Sequence, residues 1–392
     1  MTQSVEDKAA YAKGREMLVR AGKAGNTTSL GKLVETLEEQ GVDLADLGQV
    51  KALWHKTTVD ADGVEKYSGS SVMLTPSWDS GPKWQPVDQP APVRVSVPKT
   101  RTTGTGGSGW RTAVILPDPQ IGFRRLPDGT LDPFHDPRAI DVAMQILEFE
   151  RPDLAIWLGD YLDLAQMGRF RQEPEFVATM QPAIDYGYGL MARTAALAGE
   201  VRLIEGNHDK RITTYVIDNA MAAYGVRRGA KTDEWPVLSV PYLLRLDELG
   251  VRYVDGYPNG ATYITNDLCC IHGVKTDLTS VANESQVSVI QGHMHRAGAV
   301  YKTRNSRGKP VFTMAASPGC LCRIDGGVPS SKSSITVRGT PAKAWENWQQ
   351  GVGIVRYHDD GRFAWEQVMI FEGRAVHAGR VFVSNDENKG AE

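Results

Sequence analysis

Five short apolar runs in this chain each end in a polar cluster, and the clusters carry residue types that hold divalent ions. In order they are Asp118 with Gln120, Asp160 with Asp163, Asn207-His208-Asp209, His272, and His293 with His295. Four of the eight histidines of the chain fall within them. Taken singly, each cluster has an ordinary structural explanation: a turn Asp, a capping Asn, a histidine satisfied in the core. For the pattern to carry no chemistry, such explanations must hold independently at all five places. Carboxylates, imidazoles and an amide, without thiolate, suit Mn²⁺, Fe²⁺ or Zn²⁺ rather than Ca²⁺. The donors exceed the need of one ion, so two are implied, and a shared carboxylate would hold them about 3.5–4 Å apart. That arrangement suits in-line displacement at phosphorus, with hydroxide drawn from bound water and the ions neutralising the phosphoryl oxygens.

The elements that must position these groups follow from periodicity. Thr112 to Leu116, Leu154 to Leu158 and Val201 to Ile204 are short apolar strands. Helical patterns separate them: one opens at the Asp136-Pro137 cap and runs to about Glu150, and another spans Glu175 to Gly199. A further helix is expected over Arg211 to Tyr224. Alternating strands and helices imply parallel strands joined by helical crossovers, and open α/β sheets place their chemistry at the C-terminal strand ends. The Gly206-Asn-His-Asp209 turn sits at such an end, with glycine permitting a sharp backbone path. Asp209 reads as a structural residue of that turn. After Tyr242 the texture becomes β-rich, with Ala261–Ile264 and Leu268–Ile271 flanking the Asn266-Asp267 hairpin signal. Val287–Ile290, Val311–Ala315 and Gly353–Tyr357 continue the strands.

Ahead of this domain the chain reads differently. Residues 1–81 suggest a small N-terminal module: an amphipathic helix over Thr28 to Gln40, a shorter helical signal over Val42 to Trp54 and a strand over Tyr67 to Leu74. Residues 82–109 are rich in Pro, Gly, Ser and Thr and end in Gly104-Thr-Gly-Gly-Ser-Gly109, the composition of a linker. The main domain is expected over 110–375 and a polar tail over 376–392. A net charge of −3 gives no bulk attraction to nucleic acid. No apolar run approaches the roughly 18–20 residues of a membrane span. The start lacks the apolar core of a signal peptide. Cys269, Cys270, Cys320 and Cys322 lack a spaced zinc pattern, so buried reduced thiols and a cytoplasmic location are expected. The sequence defines no oligomeric state.

The order Asp118-x-Gln120, Gly159-Asp160-x-x-Asp163, Gly206-Asn-His-Asp209, His272-Gly273, Gly292-His-x-His295 resembles the calcineurin-like metallophosphoesterase superfamily, over about 110 to 375. More narrowly, Pro127-Asp-Gly-Thr-Leu-Asp-Pro-Phe-His135, Ser317-Pro-Gly-Cys-Leu-Cys-Arg323 and Trp345-Glu-Asn-Trp-Gln-Gln-Gly351 resemble phosphoesterases encoded by actinobacterial phages. The resemblance implies a four-layer αββα sandwich of the α/β (α+β) class, and a dinuclear phosphoesterase using metal-bound hydroxide. By motif, Asp118 and His295 would bind the first metal, Asp160 would bridge, and Asn207, His272 and His293 would hold the second. His208 would protonate the leaving group, with Asp163 hydrogen-bonding its imidazole and keeping it cationic. Gln120 departs from the family, which usually has His there. It would bind the first metal through its oxygen, stand behind a ligand, or leave the first site weak. Direct ligation is the reading preferred, with His135 as a substitute from a loop and metal dependence biased toward Mn²⁺. Arg211 and Arg124 are the candidates for substrate phosphate. A phosphodiester of nucleotides or DNA is the expected substrate, in the host cytoplasm if the chain is phage-encoded. A phosphomonoester, a phosphoprotein, or a binding scaffold with weakened catalysis are the alternatives.

Overall fold

The computed structural model describes residues 47–59, 65–76, 109–168, 172–229, 234–329, 336–337, 340–341 and 346–385. The chain divides into two compact units, Met1–Gln89 and Pro90–Glu392. In the first, β1 (Leu47–Val59) and β2 (Glu65–Pro76) pair antiparallel. Strand β2 contains the expected Tyr67–Leu74 strand. Strand β1 replaces most of the helix expected over Val42 to Trp54. The sequence between them contains Asp62-Gly63, a hairpin pair. Pairing gives both segments ladder hydrogen bonds, which outweigh a short helical period. The helix expected over Thr28 to Gln40 and all but the last residue of the 82–109 linker lie outside the described residues.

The second unit opens with β3 (Trp110–Leu116), followed by the small hairpin of β4 (Phe123–Arg125) and β5 (Leu131–Pro133). Helices and strands then alternate: α1 (Pro137–Glu150), β6 (Leu154–Trp157), α2 (Met180–Leu197), β7 (Glu200–Ile204), α3 (Arg211–Asn219), α4 (Val240–Leu243) and β8 (Arg252–Val254). Strands β3, β6, β7 and β8 are parallel neighbours. Next come β9 (Ala261–Thr265), β10 (Leu268–Ile271), α5 (Leu278–Glu284), β11 (Ser288–Gln291), β12 (Ala297–Ser306) and β13 (Lys309–Pro318). A short pair, β14 (Thr336–Val337) and β15 (Thr340–Pro341), precedes β16 (Gln350–His358), β17 (Phe363–Phe371), β18 (Arg374–His377) and β19 (Arg380–Val383). One sheet has the order β19-β18-β17-β16-β3-β6-β7-β8, and the other β12-β13-β11-β10-β9.

Strand alternation makes the layers. Ala113 and Ile115 of β3 join Leu268, Cys270, Ile290 and Met314 in the core between the sheets. Val114 and Leu116, one residue out of step, join the α1 and α2 side chains Ile140, Ile146 and Met191 on the outer face. Leu278, Val281 and Ala282 of α5 cover the outer face of the second sheet. The result is the αββα sandwich. Asp136 caps α1 as its sequence indicates: Oδ1 accepts from Arg138 N at 2.9 Å, and Pro137 occupies the first helical position.

The sheet runs further than a domain end at residue 375 allows. β18 and β19 continue it to Val383, and Ser384 is buried. His377 explains the anchoring, since its two ring nitrogens lie 2.6 Å from Glu150 and 2.9 Å from Glu366. Four-residue strands held from α1 leave little periodicity to read. Among the described residues no helix is long and apolar enough to cross a membrane.

Candidate metal centre

Because the two sheets stack, the C-terminal ends of strands from both reach one place. Asp118 follows β3, Asp160 follows β6 and Asn207 follows β7, all in the first sheet. His272 follows β10, and His293 and His295 follow β11, in the second. The turns that carry them are tight. Asp118, Gln120, Asp160, His293 and His295 adopt left-handed φ values of 34, 47, 46, 65 and 55°. A side-chain-bearing residue pays roughly 1–2 kcal/mol for that conformation, so the surrounding structure must hold it there. Glycine at 206 is required by close approach, since a Cβ would collide with the backbone nitrogen and carboxylate of Asp160. A Cβ on Gly292 would lie 2.5 Å from Asp118 Oδ2.

Two ligand groups result. Asn207 Oδ1 accepts from His272 Nε2 at 3.0 Å and from His293 Nδ1 at 2.8 Å, and Asp160 Oδ1 is 3.4 Å from His272 Nε2. On the other side, His295 Nε2 lies 3.6 Å from Asp118 Oδ1 and 3.3 Å from Gln120 Nε2. Asp160, His272 and His293 bring ligand atoms within 4.8 Å of one another, and so do Asp118, Asp160 and His295. Asp160 belongs to both groups.

These residues fit divalent ions on grounds of their own chemistry. Asp118 Oδ2 and Gln120 Oε1 are buried acceptors without a hydrogen-bond partner, each a cost of about 1–3 kcal/mol that a cation removes. Burial pulls the His272 pKa down, but the charge and hydrogen bond of Asp160, with Asp118 nearby, raise it to about 9. Asp160 itself is buried, yet His208 and His272 hold its carboxyl well below the usual range. The centre thus attracts positive charge, and a proton on His272 competes with a metal for the same donors. His272 Nδ1 donates to Leu158 O at 2.9 Å, which aims Nε2 at the centre.

His208 stands beside these groups and joins neither. Its backbone N donates to Asp160 Oδ1 at 2.7 Å. Its Nδ1 is 3.1 Å from the Asp163 carbonyl oxygen, and its Nε2 is 3.1 Å from Arg211 Nη2. A guanidinium only donates, so Nε2 accepts and Nδ1 carries the ring hydrogen. This corrects the expected Asp163 contact. The backbone carbonyl, not the carboxylate, takes the imidazole N–H. Asp163 Oδ2 is 3.2 Å from Nδ1 but out of line, and both of its carboxylate oxygens lack hydrogen bonds. Positive charge near Asp163 comes from Arg211, whose Nη1 donates to the same carbonyl at 2.7 Å and lies 3.5 Å from Oδ1.

Arg124 is placed elsewhere. It is buried, 5.8 and 5.9 Å from the Phe134 and Phe176 ring centres, with Glu173 at 3.4 Å. Its role is packing around the β4 hairpin. His135 is likewise packed, 4.4 Å from the Tyr186 ring centre, and burial lowers its pKa to about 3. It enters neither ligand group. Two aromatic residues flank the centre, Tyr257 and Trp348, the second within the 345–351 stretch. Tyr257 meets His272 edge-on at 5.7 Å, and Trp348 meets His295 at 4.3 Å. Nothing in the local sequence sets either beside a ligand histidine; their loops reach the centre through the tertiary fold.

Residues 122–310 match the family model of calcineurin-like phosphoesterase, beginning just past Asp118 and Gln120. No curated protein matches the chain significantly. Among solved structures, the purple acid phosphatase PPD1 of yellow lupin (Lupinus luteus) seeds is similar at 11% identity, over 85% of this chain and 59% of that one, with a TM-score of 0.33. This chain thus spans less than two thirds of that phosphatase's length. The matched segment carries the Asp160, Asn207, His208, His272, His293 and His295 motifs, so residues 122–310 are a calcineurin-like phosphoesterase domain.

Proposed function

We propose that the chain is a dinuclear phosphodiesterase acting on nucleotides or nucleic acid. The observation that carries the dinuclear reading is Asp160, common to two ligand groups. Asp118 and His295, with Gln120 beside them, would hold one ion. Asn207, His272 and His293 would hold the other. Ions there supply Lewis acidity toward a phosphoryl oxygen and a water acidic enough to react near neutral pH. Manganese suits the mixture of carboxylate, amide and imidazole.

The chain's own residues handle the leaving group. Once Arg211 lets go, His208 Nε2 would take up a proton from solvent and give it to the departing oxygen, while its Nδ1 hydrogen stays directed at the Asp163 carbonyl. Arg211 must release Nε2 first, and a phosphoryl oxygen is the partner a guanidinium would exchange it for. One guanidinium at His208 matches the single charge of a diester. The part-exposed Tyr257 and Trp348 rings beside the centre would serve as stacking partners for bases.

Hydrolysis of bis-p-nitrophenyl phosphate with Mn²⁺ tests this reading. Turnover should fall on the order of a hundredfold to ten-thousandfold in His208→Ala. Assays on single-stranded DNA, duplex DNA, cyclic nucleotides and a phosphomonoester define the substrate. Preference for the monoester would replace the diesterase reading, and absence of all turnover would leave a binding scaffold.

Gln120 carries a second prediction. An amide oxygen is a weaker ligand than imidazole for late first-row ions. Gln120→His should tighten the weaker of two metal-binding steps by roughly tenfold or more, read by calorimetry on chelator-treated protein. Equal, tight uptake of two ions by the wild type would count against a weakened first position.

A further inference from the structure

His295 has a second face. Its Nε2 points toward Asp118 and Gln120, while its Nδ1 is 3.7 Å from Cys322 Sγ. Cys320 Sγ lies near, 3.6 Å from the Gln349 carbonyl oxygen and 3.9 Å from that of Cys322. His295, Cys320 and Cys322 each bring a ligand atom within 4.8 Å of the others, and all three are buried. The thiols stand two residues apart, on either side of a bend at Leu321, and both face His295. The backbone is tied around them: Cys320 N donates to Gln349 O at 3.0 Å, Gln349 N to His295 O at 2.9 Å, and Leu321 N to Asp118 O at 3.2 Å. The three side chains therefore meet by construction of the fold rather than by chance rotamers.

We propose that His295, Cys320 and Cys322 form a binding site for one thiophilic ion of the Zn²⁺ or Cd²⁺ class. Two thiolates and an imidazole are a donor set such ions select over carboxylate and amide oxygens. Binding forms two sulfur–metal bonds and releases the two thiol protons to solvent. The site is distinct in chemistry from the oxygen-rich groups around Asp160, and it does not depend on the reaction those groups perform. It shares His295 with them. A neutral ring bound through Nδ1 carries its hydrogen on Nε2, which then faces Asp118 as a donor and cannot ligate an ion there. A soft ion at the thiols and a harder ion beside Asp118 thus compete for one imidazole. The zinc pattern is missing from the local sequence because its histidine comes from the turn after β11.

Cadmium added to the chelator-treated full chain tests this. An ultraviolet thiolate-to-cadmium charge-transfer band should grow and saturate at one sulfur-bound ion per chain. It should vanish when Cys320→Ser and Cys322→Ser are combined, and persist when Cys269→Ser and Cys270→Ser are combined. X-ray absorption on the cadmium-loaded wild type should count two sulfur neighbours, which decides the matter even if the double variant fails to fold. Absence of the band in the wild type, its survival without Cys320 and Cys322, or fewer than two sulfur neighbours would overturn the proposal.

Discussion

Asp160→Ala is expected to lower turnover by roughly a thousandfold or more and to reduce metal content from two ions per chain to one or none. The carboxylate belongs to both ligand groups, so its loss weakens both at once. It also accepts the His208 backbone N–H at 2.7 Å, so the turn carrying the proposed acid loses its support. A third readout is independent of turnover. In the metal-free wild type, His272 should titrate near 9, held there chiefly by Asp160 against the opposing effect of burial. In Asp160→Ala the titration should fall well below that value, visible by NMR of the imidazole. The sign for stability follows. A histidine whose folded pKa exceeds its ordinary 6.5 contributes stability fully present below 6.5. That contribution is lost as pH rises through about 9. Metal-free protein should therefore lose stability across that window, and metal-loaded protein, with the proton displaced, should not show this slope. Unchanged metal content in Asp160→Ala would refute the shared-ligand reading.

Asp209→Ala should destabilise the fold by roughly 3–5 kcal/mol. The carboxylate is buried and accepts from three backbone nitrogens: Tyr161 and Leu162, each at 3.1 Å, and Gly206 at 2.9 Å. It ties the turn after β6 to the turn after β7, the two turns that carry Asp160 and Asn207. Burial and the Asp160 charge push its pKa up to about 7 despite those bonds. Truncation leaves all three N–H groups unmet. Asp209→Asn keeps one acceptor oxygen and should cost less. The measurement is the urea midpoint at unchanged slope, and a loss under about 1 kcal/mol would show that the clamp is not needed.

The same tetrapeptide shows what was legible. Gly206, Asn207, His208 and Asp209 stand out by type after an apolar run, and local periodicity places them at a strand end. The work of Asp209 was not legible, because its partners Tyr161, Leu162 and Gly206 include a turn nearly fifty residues away. Arg124 illustrates the reverse. An arginine near a motif suggests phosphate, yet its side chain is spent between Phe134 and Phe176. Strand β1 was read as helix because a short apolar period is ambiguous until a pairing partner is known.

Sequence alone determined the donor types, their order, the alternation of strand and helix, and the shift to a β-rich second half. Those are local properties: ligand chemistry belongs to the residue, and period belongs to a dozen neighbours. Tertiary structure decided which donors share Asp160, and that the Asp163 backbone carbonyl takes the His208 ring hydrogen beside the carboxylate. It also set two thiols behind His295. Each of those facts depends on where separate strand ends stop relative to one another, and sheet stacking and register set that only once the whole sandwich has closed.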